Sequence, residues 1–111
     1  MINNLIKIDL TDSGNHAIKP DIKALVAIEN TLGLTTLKLC QEIGAANIGF
    51  NMVATILQCG LKSGTGTVDR SVIDNAIMEK GLMGFMEPIE EFFKIALEGT
   101  GGKKPQADPE N

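Results

Sequence analysis

The chain opens on alternation. From Ile6 to Leu10, Ile-Lys-Ile-Asp-Leu sets apolar and polar residues in strict turn, the period of a strand with one buried face. Thr-Asp-Ser-Gly-Asn follows at 11–15, turn chemistry in which short polar side chains bond nearby backbone. His-Ala-Ile-Lys resumes in extended style until Pro20, and a residue before proline is pushed away from the helical region. The pattern predicts a β-hairpin over residues 5–19. A lone hairpin is marginal in water, so its Ile6, Ile8 and Leu10 face should pack on helices.

From Asp21 the period changes. Ile22, Leu25, Ile28 and Leu32 recur three and four apart, with Val26 alongside, which is an amphipathic helix. Pro20 and Asp21 suit its first turn and Gly33 its stop. A short second helix can start at a cap on Thr35 or Thr36 and end at Gly44, with Leu37, Cys40 and Ile43 inward. A third runs from about Gly49 through Phe-Asn-Met-Val-Ala-Thr-Ile-Leu-Gln-Cys-Gly-Leu. Its inward set is Met52, Val53, Ile56, Leu57, Gly60 and Leu61. A fourth, capped by Asp69, buries Val72, Ile73, Ala76 and Ile77 and stops at Gly81, where Leu82 makes the apolar contact that accompanies such stops. The fifth carries Pro88 in its first turn and turns Ile89, Phe92 or Phe93, Ala96 and Leu97 inward before Gly99. Its early carboxylates, Glu87, Glu90 and Glu91, sit where the helix dipole favours them. The predicted fold is mainly α: a small bundle of about five short helices with an N-terminal β-hairpin. It forms one globular domain over residues 1–99, with the hairpin at 5–19, the helices at 21–98 and a disordered polar tail at 100–111.

Composition sharpens this. The chain has 111 residues, no Trp or Tyr and four Phe, so its core is aliphatic. Its formal net charge is -4, which lacks the cation excess that binding a phosphate backbone requires. Nucleic acid is therefore not an expected partner. No apolar run reaches the length of a membrane span, and the first ten residues lack the pattern of a secretory signal. Cys40 and Cys59 are far apart, and His16 is the sole histidine. A zinc cage of about four ligands is excluded on count, and each Cys reads as a small buried residue in a reducing compartment.

One stretch, Gln-Cys-Gly-Leu-Lys-Ser-Gly-Thr-Gly-Thr at 58–67, resembles a phosphate cradle. It fails the test. Lys62-Ser63 follows Leu61, where a P-loop has glycine, and the stretch follows a helix rather than a strand. The G-x-G-x-x-G pattern also fails, because Asp69 stands where the third glycine belongs. The stretch reads as a helix end and a flexible join to the next helix. His16 lacks a catalytic partner in sequence. Glu90 and Glu91 point apart on a helix, whereas Glu87 shares a face with either. No nucleophile stands beside a base, so no catalytic, cofactor-binding or metal residue is expected.

The apolar excess near the C-terminus is more informative. Leu82, Met83, Phe85, Met86, Ile89, Phe92 and Phe93 crowd into twelve positions. Phe92 and Phe93 diverge by about 100° on a helix, so a small bundle is not expected to turn them all inward. The plain alternative is that most are core. The functional reading is a groove for an amphipathic helix, adaptable through its methionines. Its candidate partner-binding residues are Met83, Phe85, Met86, Ile89, Phe92 and Phe93.

Four segments then carry a resemblance: Ala-Leu-Val-Ala-Ile-Glu-Asn-Thr-Leu-Gly at 24–33, Ile-Leu-Gln-Cys-Gly-Leu-Lys-Ser-Gly-Thr-Gly at 56–66, Lys-Gly-Leu at 80–82, and Phe-Phe-Lys-Ile-Ala-Leu-Glu-Gly at 92–99. In order and spacing they resemble the tail assembly chaperones of tailed phages and gene transfer agents, small tail proteins sometimes labelled tail tube proteins. The A-L-x-x-I-E-x-x-L-G signature reads Ala24-Leu25, Ile28-Glu29 and Leu32-Gly33. The glycine-leucine-basic-small-glycine join reads Gly60-Leu61-Lys62-Ser63-Gly64. The resemblance spans about residues 5–99, and the chain departs from the usual pattern at Pro88 and in its Asn- and Gly-rich segment in the 40s.

The resemblance implies a non-enzymatic role in the cytoplasm of a bacterial host, holding the long helical tape measure protein soluble while tail tube subunits assemble. Exposed apolar helices aggregate, and a small acidic bundle with an adaptable groove would cover one and later release it. The implied partners are the tape measure protein and the tail tube protein, with a homo-oligomer left open. Other readings are a structural tail component retained in the particle, a helical protein-binding adaptor, or a small nucleotide binder or enzyme.

Overall fold

A computed structural model of the chain describes residues 4–99. The tail expected from residue 100 onward lies outside those residues. In chain order come strands β1 (Ile6–Ile8) and β2 (His16–Ile18), helices α1 (Ile22–Leu32), α2 (Thr36–Gly44), α3 (Phe50–Ser63) and α4 (Arg70–Lys80), a 3-10 turn (Leu82–Phe85), and α5 (Met86–Glu98). This is the mainly α fold with an N-terminal hairpin that the hydrophobic pattern predicts.

The strands pair antiparallel with Ile6 opposite Ile18, Lys7 opposite Ala17 and Ile8 opposite His16. Their apolar face is covered as a marginal hairpin requires: β2 packs on α3 and β1 on α5. Ile6, Ile8, Leu10 and Ile18 all join the core, each contributing about 1.5–3 kcal/mol relative to exposure. In the turn, Asp12 accepts a hydrogen bond from the Gly14 amide at 3.0 Å and pairs with His16 Nε2 at 3.0 Å. That contact holds the Asp12 carboxyl below its ordinary value and ties His16 down across the turn.

Local chemistry sets the helix ends. Asp21 Oδ1 accepts from the Ala24 amide at 2.9 Å, satisfying an orphan donor of the first turn. Gly33 closes α1 in the left-handed region at φ 69°, a conformation costly for a residue with a Cβ. Thr35 is the cap of α2, accepting from the Lys38 amide at 3.1 Å. Thr36 reaches back to α1 instead, where its amide and hydroxyl both donate to Glu29, at 2.8 and 2.7 Å. These bonds lower the Glu29 pKa, the Thr36 hydroxyl contributing most, and they fix the joint between α1 and α2. Asp69 stands at the start of α4 but makes no side-chain cap bond.

Helix α3 is the centre. It packs against α1, β2 and α4 and buries Val53 through Leu57 without a break, then Gly60 and Leu61. The seam with β2 is tight. The Lys19 amide donates to the Gly60 carbonyl at 3.0 Å, and the Thr65 amide to the Ala17 carbonyl at 3.2 Å. The Ala17 amide donates in turn to Thr65 Oγ1 at 3.0 Å. The stretch 58–67 is thus a clasp along the outer edge of β2. The flexible join expected from its glycines is corrected: Gly64 lies against the backbone of Ala17 and Ile18, Gly60 leaves room for the Ile18 and Phe92 side chains, and Gly66 takes a positive φ of 134°.

Two further expectations are corrected. In α2, Leu39 faces the core while Leu37 is 64% exposed, so the helix is turned from the phase that put Leu37 inward. Leu39 and Ile43 are the pair that a four-residue spacing brings onto one face. In α5, Phe92 and Phe93 are both buried, because neighbours flank the helix on two sides. Phe92 lies near Gly60 of α3, whereas Phe93 lies with Cys40 and Ile43 of α2. Their rings meet edge to face, with centroids 5.2 Å apart.

Candidate functional site

The six residues proposed for partner binding divide sharply. Phe85, Met86, Ile89, Phe92 and Phe93 lie in the core cluster, while Met83 is 67% exposed. The 3-10 turn explains the division. It tightens the chain after Gly81, sends Phe85 inward and leaves Met83 on the rim. Lys80 Nζ lies 4.8 Å from the centroid of the Phe85 ring, an attraction between cation and π face that closes this end of α4. In the isolated chain five of the six side chains therefore support the fold, and one of them, Phe93, also lines an open apolar depression.

An apolar depression lies between α2 and α5, with a volume of about 240 Å³. Cys40, Ile43 and Gly44 form one wall, Phe93 and Leu97 the other, and Glu90 and Lys94 stand at its edge. Its origin is local. Residues at 90, 93, 94 and 97 recur three and four apart, so they share one face of α5. Gly44 contributes no side chain, and Leu97 remains 51% exposed although it belongs to this wall. An apolar floor with charged residues at the margin is what an amphipathic helix needs from a groove.

A second depression, about 300 Å³, lies between the start of α3 and α4 and is lined by Phe50, Asn51, Arg70, Asp74, Ile77 and Met78. Here Arg70 donates to Asp74 Oδ1 and to Asn51 Oδ1, each at 3.1 Å. This polar bridge crosses the depression and ties the two helices together. Phe50 and Met78 project beside it, largely exposed. A third, lined by Leu5, Ile6, Lys7, Glu87, Pro88 and Glu91, separates β1 from the start of α5.

Reactive groups are dispersed. Cys40 and Cys59 are free and half-buried. Burial raises the pKa of both thiols, with Lys62 partly opposing it at Cys59, so both are protonated at neutral pH. Among the described residues no three of His, Cys, Asp and Glu gather as a metal site would require. No described helix is long and apolar enough to cross a membrane. Lys62 and Ser63 end α3, and Gly64 beyond them lies against Ala17 of β2. The arrangement offers surfaces for a partner chain.

A family model described as "Phage tail tube protein, GTA-gp10" matches residues 7–99. That span contains β2, all five α-helices and both walls of the α2–α5 groove. Neither a curated protein nor a solved structure matches the chain.

Proposed function

The chain belongs to the phage tail tube protein, GTA-gp10 family, and from that premise we propose that it acts as a tail assembly chaperone for the tape measure protein. Membership gives the broader statement, a structural or assembly role in the phage or gene-transfer-agent tail. The finer reading rests on one observation: the apolar groove between α2 and α5, walled by Ile43, Phe93 and Leu97 with Glu90 and Lys94 at its margin. An amphipathic helix of the tape measure protein would lay its apolar stripe on that floor. Until tube subunits replace the chaperone, the stripe would be shielded from self-association. The groove is shallow, which suits a partner that must later be released.

The family description favours a second reading, in which the protein stays in the finished particle. Two measurements separate the readings. Co-expression with a tape measure protein from the same genome should raise that protein's soluble fraction and give a co-purifying complex; failure on both counts rejects the chaperone. Mass spectrometry of purified particles should find the chain absent or scarce. A copy number comparable to the tube subunit's would instead establish the retained component.

A further inference from the structure

The two edges of the hairpin are treated differently. Ala17 of β2 donates to Thr65 Oγ1 at 3.0 Å and accepts from the Thr65 amide at 3.2 Å, so its amide and carbonyl both point away from β1. In an antiparallel pair, residues that turn both groups outward sit opposite residues that do the same. Lys7 is the partner of Ala17. Its amide and carbonyl therefore face the opposite edge, and neither meets a protein group among the described residues. Further along, the Lys80 ammonium stands 3.5 Å from the Asp9 carbonyl, leaving Lys7 as the open position.

The surroundings of that edge select an occupant. The depression beside it, about 320 Å³, runs between Leu5–Lys7 and the first turns of α5 at Glu87, Pro88 and Glu91. Glu87 and Glu91 are one turn apart on the same face, and neither enters an ion pair among the described residues. We propose that the outer edge of β1 accepts an extended segment of another protein, rich in lysine or arginine, as a third strand. The Lys7 amide and carbonyl supply a backbone hydrogen-bond pair, and the Glu87 and Glu91 carboxylates meet cations on alternate side chains. A second copy of the chain fits less well. Pairing β1 with β1 about Lys7 sets two lysines directly opposite, and like charges there repel. This site is separate from the α2–α5 groove and does not depend on the tape measure reading.

The test uses the full chain and the peptide Lys-Thr-Lys-Val-Lys-Thr-Lys, with amide exchange followed by NMR. In the free chain the Lys7 amide should exchange rapidly while the Ile6 and Ile8 amides are protected. Saturating peptide should slow Lys7 exchange about tenfold or more. Methylating alternate peptide nitrogens, which keeps the charge and removes strand pairing, should abolish that protection. The E87K/E91K variant should weaken peptide binding about tenfold or more. If binding survives methylation, charge alone holds the peptide and the third strand is rejected. Absence of binding at millimolar peptide also overturns the proposal. So does Lys7 protection in the free chain that rises with protein concentration, which would assign the edge to a second copy.

Discussion

At the seam between α3 and β2, two glycines let backbone lie against backbone; at the seam between α2 and α5, a phenylalanine and a leucine hold the helices apart. The first seam is closed by hydrogen bonds from Lys19 to Gly60 and between Ala17 and Thr65. The second has side chains on both walls and a depression between them. Small residues convert proximity into backbone hydrogen bonds, while large ones convert it into apolar area that is incompletely used. A molecule built this way can devote one seam to stability and present the other to a partner.

The largest effect on this contrast should come from Gly64→Ala. A Cβ there would lie 2.1 Å from the Ala17 carbonyl oxygen, and a backbone atom cannot swing aside as a side-chain end can. The clasp must open, losing the Ala17–Thr65 bonds. We expect a loss of about 3 kcal/mol or more, read as a fall in Tm of about 12 °C or more. A variant melting with the wild type would show that the clasp adds nothing. Gly60→Ala is the milder version. Its Cβ would lie 2.8 Å from Ile18 Cβ and 3.2 Å from the Phe92 ring, so crowding costs about 1–3 kcal/mol. Helix propensity returns up to about 1 kcal/mol. A net loss of about 1 kcal/mol in denaturant melts is expected.

Much of this architecture is legible in the sequence because it is local. Asp21, Gly33, Thr35 and Gly81 mark helix ends within a residue of where the chain places them, and each works through a bond to its own neighbourhood. What stays hidden is long-range. The Ala17–Thr65 clasp joins residues 48 apart, and no periodicity announces it. The phase of α2 is ambiguous because nine residues carry both Leu37 and Leu39, and only packing decides between them. Phe92 and Phe93 both turn inward because α5 has neighbours on two flanks, which a one-sided amphipathic stripe does not anticipate. For the same reason the cluster at 83–93 points to the right end of the molecule, and its Phe93 lines the groove, but the facing wall comes from α2 residues far away in sequence.

A smaller effect probes the joint that sets α2 beside α5. Glu29 accepts two hydrogen bonds from Thr36, which hold its pKa below the ordinary 4.5. A carboxylate depressed in the folded state adds stability above its unfolded pKa, and that contribution is lost as pH falls through the folded value. Glu29→Gln removes the titration. Melts from about pH 6 down to about pH 3 should show wild type more stable at the upper end, with the gap closing below the ordinary glutamate range. Asp12 and Glu42 are depressed as well, so the difference between the two chains isolates Glu29. A gap independent of pH would mean that the Thr36 contact does not stabilise the charged form.

The smallest expected change in stability is the most informative about the open seam. Leu97 lies on the groove wall yet is 51% exposed, so Leu97→Lys removes little buried area and its ammonium can remain in water. Stability should change by no more than about 0.5 kcal/mol. The same substitution puts a charge where a partner helix would press its apolar stripe, and desolvating that charge opposes docking. Co-purification with the tape measure protein should therefore fall steeply while the melting curve stays in place. If both stay in place, the groove is not the docking surface. If both fall, Leu97 belongs to the fold, and the division between a sealed seam and an open one fails at the residue that defines it.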